Sequence, residues 1–272
     1  MVGTHTQNEF LLTTKIYCMK NMIMAAIVAV GLLGCTKEQH IIPNNIVIPV
    51  DLSGSRDSNA LRFYESVIST VVIPRLGMKD RITIVPIDNG SQTASQEIFA
   101  KDFGLNTYKN EYAGLNEAAN ARNWHTDSLS AAVGQFEHAF ESVAKDRISL
   151  RKGTDIIGAL ELANRYYVPT AHNLLLLLSD MQQCLGSVDF QKSLTSKQIT
   201  SYVDQFPSCN LEGFTVVILT GKQNGISVDQ YLSLQEFWLR YIERSKGKMT
   251  DYTSGSTVKL VEWLTANAYG YE

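Results

Sequence analysis

The sequence predicts a doubly wound α/β domain, with a mostly parallel central sheet and helices on both faces. Three observations predict it. Short apolar runs of strand length alternate along the chain with stretches whose apolar residues recur at helical spacing. One run, Leu174 to Leu178, is five consecutive leucines, which suits a strand covered on both faces. The intervening helical stretches are long enough to serve as crossovers, which makes neighbouring strands parallel.

Taken in order, Ile46-Val47-Ile48-Pro49-Val50 is the first strand, with Asp51 at its carboxyl end. From Asn59 to Ile73, Ala60, Phe63, Tyr64, Val67, Ile68 and Val71 mark a helix, stopped by Pro74 and Gly77. Arg81 to Ile87 is the second strand, and Ile98 to Phe103 is a weaker third. Residues 104–125 are rich in Asn, Ala, Gly and Tyr, and read as an irregular or partly helical insertion. Its aromatics, Tyr108, Tyr112 and Trp124, are expected to pack as a satellite of the core rather than to form a recognition surface. Leu129, Val133, Phe136, Phe140 and Val143 then form one apolar stripe of a helix. Asp155 to Tyr167 is a further helix, closed by Pro169, and leads into the leucine strand. Phe214 to Leu219 is the next buried strand, and Val228 to Arg244 is an amphipathic helix. Thr257 to Ala266 fits strand or helix equally, and Ser254-Gly255-Ser256 reads as a turn.

The chain has 272 residues, 44% of them apolar and 19% charged, which is ordinary globular composition. A net charge of −3 without a basic stripe excludes a nucleic-acid partner, because phosphate binding needs concentrated Lys and Arg. Near the amino end, Lys15 and Lys20 precede an apolar run from Met22 to Leu33 that is too short to span a bilayer but suits a signal peptide. The run ends in Leu32-Leu33-Gly34-Cys35, which resembles the bacterial lipobox, in which the cysteine thiol is lipidated. Residues 1–34 are therefore expected to be a leader, with Met19 a natural internal start, residues 35–45 a tether, and residues 46–272 the domain. A lipid on Cys35 would hold that domain at a membrane of the bacterial cell envelope. An exported protein meets an oxidising compartment, so Cys184 and Cys209 are expected to form a disulfide. Closing that loop would stabilise the fold by roughly 3.5 kcal/mol in the chain-entropy model.

Ligands of doubly wound sheets bind beyond the carboxyl ends of the strands. Asp51-Leu52-Ser53-Gly54-Ser55 follows the first strand, Ser179-Asp180 follows the leucine strand, and Gly153-Thr154-Asp155 opens the helix between them. Two carboxylates and three hydroxyls form an all-oxygen set suited to a hard cation. Each element alone has a competing structural role, because Ser, Thr and Asp also cap helices and build turns. Together and in this order they resemble the metal-ion-dependent adhesion site of von Willebrand factor A domains, over residues 45 to 245. The resemblance implies that Ser53, Ser55 and Thr154 offer hydroxyls to Mg²⁺, with Mn²⁺ or Ca²⁺ as substitutes. It also implies that Asp51 and Asp180 act largely through bound water, and that an acidic side chain of a protein or peptide partner completes the octahedron. One departure is visible. The family commonly has Thr-Asp-Gly at its third element, whereas this chain has Ser179-Asp180-Met181 and continues Gln182-Gln183-Cys184. Asp57 and Asp155 flank the ligand set, and both are expected to complement a helix macrodipole from its first turn.

Other chemistries lack their residues. The five histidines, His5, His40, His125, His138 and His172, show no i,i+4 pair for zinc. No Gly-x-Ser-x-Gly elbow and no Walker A sequence is present. The sequence thus points to a lipid-anchored, non-enzymatic binding module. The alternatives are a Mg²⁺-dependent phosphohydrolase using Asp51, or an envelope scaffold whose site is vestigial.

Overall fold

The computed structural model describes residues 42–52, 58–87, 97–104, 117–150, 153–183, 190, 192–221 and 226–268. Ser53, Ser55, Asp57, Cys35, Cys184, Tyr108 and Tyr112 lie outside them. The first strand, β1 (Asn44–Asp51), begins two residues earlier than its apolar run suggests, and every residue in it is buried. Helix α1 (Ser58–Ser66) continues through a π-helical turn to Val72 and a tight 3₁₀ turn to Arg75. Then follow β2 (Arg81–Ile87), β3 (Phe99–Asp102), the long helix α2 (Glu117–Leu150) and α3 (Ile156–Ala163). The chain closes with β4 (His172–Leu178), α4 (Ser196–Gln205), β5 (Phe214–Thr220), α5 (Val228–Arg244), β6 (Lys248–Ser254) and α6 (Val258–Ala266).

The strands form one sheet in the order β3-β2-β1-β4-β5-β6. All neighbours are parallel except β3, which pairs antiparallel with β2 at the edge. Alternation along the strands supplies two cores. Ile46, Ile48, Val50, Leu174, Leu176 and Leu178 face α1, α2 and α6, whereas Val47, Leu175, Leu177, Val216 and Ile218 face α3, α4 and α5. All five leucines of β4 are fully buried, as a strand covered on both faces requires. Each contributes roughly 1.5–3 kcal/mol of transfer free energy. The fold is the expected doubly wound α/β class.

Several local expectations are corrected. Residues 117–125, the end of the segment read as irregular or partly helical, are the first turns of α2, and Trp124 there is half-buried. The ambiguous segment near residue 260 is helical, with Leu260 and Leu264 buried four residues apart. Two elements carried too weak an apolar signal to be seen. Helix α4 buries only Ile199 and Val203, and is fixed by a capping box in which Gln198 N donates to Thr195 Oγ1 and Thr195 N donates to Gln198 Oε1. Strand β6 is a sheet edge that buries only Tyr252, so it shows no apolar run. Cys209 is a free, buried thiol in the structure, and Cys184, its expected bridge partner, lies outside the described residues. Cys209 lies 3.9 Å from the Tyr241 hydroxyl, and burial pushes the thiol pKa up. None of the helices among the described residues is long and apolar enough to cross a membrane.

Candidate metal centre

The sheet order fixes where a site can form. The chain runs from β1 outward to β2 on one side, and β4 begins the outward run on the other, so the strand order reverses between β1 and β4. At such a switch point the two exit loops part and leave a crevice at the carboxyl ends. Asp51 is the last residue of β1, and Val50 stands opposite Leu178, the last residue of β4. Asp51 and the pair Ser179-Asp180 therefore leave the sheet side by side.

Their side chains interact directly. The Ser179 hydroxyl, fully buried, donates to Asp51 Oδ2 at 2.8 Å and accepts from Met181 N at 3.0 Å. Asp180 Oδ1 accepts from Gln182 N at 2.9 Å, which makes an Asx turn and no helix cap, since residues 181–183 are not helical. Burial, and secondly the negative charge of Asp51, push the Asp180 carboxyl up to about 7. Two acids brought together out of water favour one shared proton or one bound cation.

Thr154 is buried, at 5% exposure, immediately before α3. It is not the cap of that helix. Asp155 is the N-cap, its Oδ1 accepting from Gly158 N at 2.9 Å, so Asp155 stands just outside the first turn where the sequence placed it. The competing structural role for Thr154 is thereby removed. A Cβ on Gly158 would lie 2.2 Å from Asp155 Oδ2, so any other residue there would push the capping carboxylate from its present position. Asp155 acts on the helix, in keeping with the structural role expected for it.

Four groups around the acids were not anticipated as site residues. Met181, where the related motif has glycine, takes a left-handed backbone with φ 63°. It is fully buried, and Trp238 Nε1 of α5 donates to its carbonyl at 2.9 Å. Gln183, 4% exposed, reaches back to α3: its Oε1 accepts from Ile156 N at 2.6 Å and Ile157 N at 3.3 Å, and its Nε2 donates to Asp155 Oδ1 at 3.3 Å. Tyr64 of α1 accepts from Gly221 N at 3.3 Å, and its pKa is raised by burial and then by Asp51 and Asp180. Gly221 itself passes close to α1, where a Cβ would lie 3.1 Å from Ala60 Cβ. Tyr252 of β6 is buried, its hydroxyl lacks a partner among the described residues, and burial, Tyr231, Asp180 and Tyr64 all raise its pKa. Both phenols stay neutral beside the acids.

Among the described residues no three His, Cys, Asp or Glu side chains group as if to hold a metal ion, and what meets at the switch point is two carboxylates and the Ser179 hydroxyl. That set fits Mg²⁺, which keeps several waters and takes few direct carboxylates. No protein-family model and no curated protein matches the chain. Similar solved structures include proximal thread matrix protein 1 from the mussel byssus, at 12% identity and a TM-score of 0.38, over 83% of this chain and 47% of that one. They also include the N-terminal domain of TFIIH p34, at 11% identity and a TM-score of 0.36, over 82% of this chain and 96% of that one. The chain thus spans about half the length of the mussel protein.

Proposed function

We propose that this chain is a von Willebrand A-type binding module that engages a protein partner through a Mg²⁺ ion held at the β1–β4 switch point. The observation that carries the reading is the placement of Asp51 and Asp180 side by side at the carboxyl ends of the two strands where the sheet order reverses. Asp51 and Asp180 hold the cation, largely through its water shell, and Thr154 offers its hydroxyl. Ser53 and Ser55, outside the described residues, supply the remaining oxygens. An acidic side chain of the partner takes the open position, so a small contact gains a strong, directional bond. The module requires no reaction step, and the neutral phenols of Tyr64 and Tyr252 add no charge beside the acids.

In this reading Cys35 carries a lipid that holds the module at a membrane of the bacterial envelope. Radiolabelled palmitate incorporated into the wild-type chain and absent from Cys35→Ser is the expected result.

The cation reading is tested by titrating Mg²⁺ into wild-type and Asp51→Ala protein in a calorimeter. One site is expected in the wild type and none in the variant, with circular dichroism unchanged. Equal affinity in the two proteins would refute the site. Turnover of a generic phosphate ester with Mg²⁺, lost in Asp51→Ala, would favour an enzyme instead.

A further inference from the structure

Thr154 and Asp180 lie on different loops, and neither loop is held by the sheet ladder. Thr154 precedes α3, and Asp180 follows β4. Their relative position is set by what crosses between the loops, and Gln183 makes three such crossing contacts. Its side-chain oxygen takes the first two backbone N–H groups of α3, at 2.6 and 3.3 Å, from a residue only three positions after Asp180. Its amide nitrogen donates to the N-cap Asp155 at 3.3 Å. Those N–H groups are donors that a helix leaves without internal partners. Asp155 takes the third such donor, Gly158 N, and leaves Ile156 N and Ile157 N to Gln183 from the other loop.

We propose that Gln183 is a positioning residue: it fastens the Thr154 loop to the Asp180 loop, so that cation affinity depends on an amide that never touches the ion. This rests on the metal-site reading above. The geometry gives Gln183 few alternatives. It is 4% exposed, both its polar atoms are engaged on α3, and Met181 two residues earlier is anchored by Trp238, so the Asp180 turn is held on both sides. Its oxygen lies at the amino end of α3, where negative charge is favoured, while its nitrogen donates to the Asp155 carboxylate, so a carboxylate can replace the amide once residue 155 becomes the donor.

The test is a double-mutant cycle on the full chain, reading Mg²⁺ affinity by calorimetry, with Mn²⁺ binding by electron paramagnetic resonance as a second probe. Gln183→Leu removes the hydrogen-bonding arm, and affinity is expected to fall about 10- to 100-fold, the range for groups that orient a metal's ligands. Because Gln183 acts through Thr154, the same change in a Thr154→Ala background is expected to cost less than about twofold further. Gln183→Glu combined with Asp155→Asn reverses the pair: it keeps the acceptor for Ile156 N and Ile157 N and puts the donor on residue 155, and it is expected to recover most of the loss even if Gln183→Leu folds poorly. Wild-type affinity in Gln183→Leu, multiplicative losses in the Thr154→Ala background, or no recovery in Gln183→Glu with Asp155→Asn would each overturn the inference while Asp51→Ala still abolished binding. Absence of Mg²⁺ binding in the wild type would overturn the metal-site reading as well.

Discussion

Met181 occupies the backbone position that best separates conformation from burial at this site. Its φ of 63° lies in the left-handed region, which costs a residue with a Cβ roughly 1–2 kcal/mol. Its side chain is fully buried, and truncating a buried Met costs roughly 2–5 kcal/mol. Burial therefore outweighs strain, and the chain keeps Met where glycine would relax the turn. A comparison of two variants isolates the backbone contribution. Met181→Gly and Met181→Ala both lose the side chain, but only Gly relieves the strain. Met181→Gly is expected to be the more stable by about 1 kcal/mol in urea denaturation, the reverse of their order in a helix. Equal or inverted stabilities would show that the left-handed backbone carries no strain. The neighbouring Ser179 was legible in the sequence only as the residue before Asp180. Its part, donating to Asp51 across two strands, depends on a register that residue spacing does not state.

At the scale of elements, the site is an assembly of loop ends fixed by helices. Helix α5 contributes Trp238, whose ring packs at 5.0 Å from Phe237 and 5.7 Å from Tyr241 while its Nε1 holds the Met181 carbonyl. Trp238→Phe retains most of the apolar packing and deletes the donor, which leaves a buried carbonyl unsatisfied. The expected cost is about 1–3 kcal/mol in urea denaturation, together with weaker Mg²⁺ binding as the Asp180 turn loosens. A stability loss with unchanged affinity would confine Trp238 to the core. What the sequence shows at this scale follows from burial. Strands such as β4 are covered on both faces and announce themselves as apolar runs, and α2 and α5 show clear stripes. Strand β6 and helix α4 bury one and two residues, so their pattern is polar and they pass unseen. The same logic explains the site. Asp51, Thr154 and Asp180 were legible because each stands at the end of a legible element. Gln183 and Trp238 were not, because they act through backbone atoms of distant segments, and a backbone partner leaves no mark in the sequence.

Over the whole molecule, the two edges of the sheet are built differently. At the amino edge, buried polar groups are tied to one another: Asp80 accepts from Asn44 N, Asn44 Nδ2 and Gly77 N, and Asn45 donates to Asn173 and to the Tyr166 carbonyl. At the carboxyl edge, Asp51 and Asp180 confront each other, and Asp180 is pushed up to about 7 by burial and by Asp51. A carboxyl whose folded pKa exceeds its unfolded value binds its proton more tightly when folded. Its contribution to stability is therefore complete below the unfolded value of 3.8 and is lost as pH rises to about 7. Without divalent cation, the melting temperature is accordingly expected to fall across that window through this group. In the proposed reading Mg²⁺ would bind the ionised pair, so its affinity would grow as pH rises through about 7 and it would stabilise only the folded chain. Melting curves with chelator and with saturating Mg²⁺ should nearly coincide near the acid end and separate by the alkaline end. At a free concentration one hundred times the dissociation constant, the separation corresponds to about 2.7 kcal/mol. In Asp180→Asn the chelated protein should lose the pH-dependent fall, and Mg²⁺ should no longer separate the curves. Parallel curves for wild type in chelator and Mg²⁺ at every pH would show that the acid pair at the switch point holds a proton and not a metal.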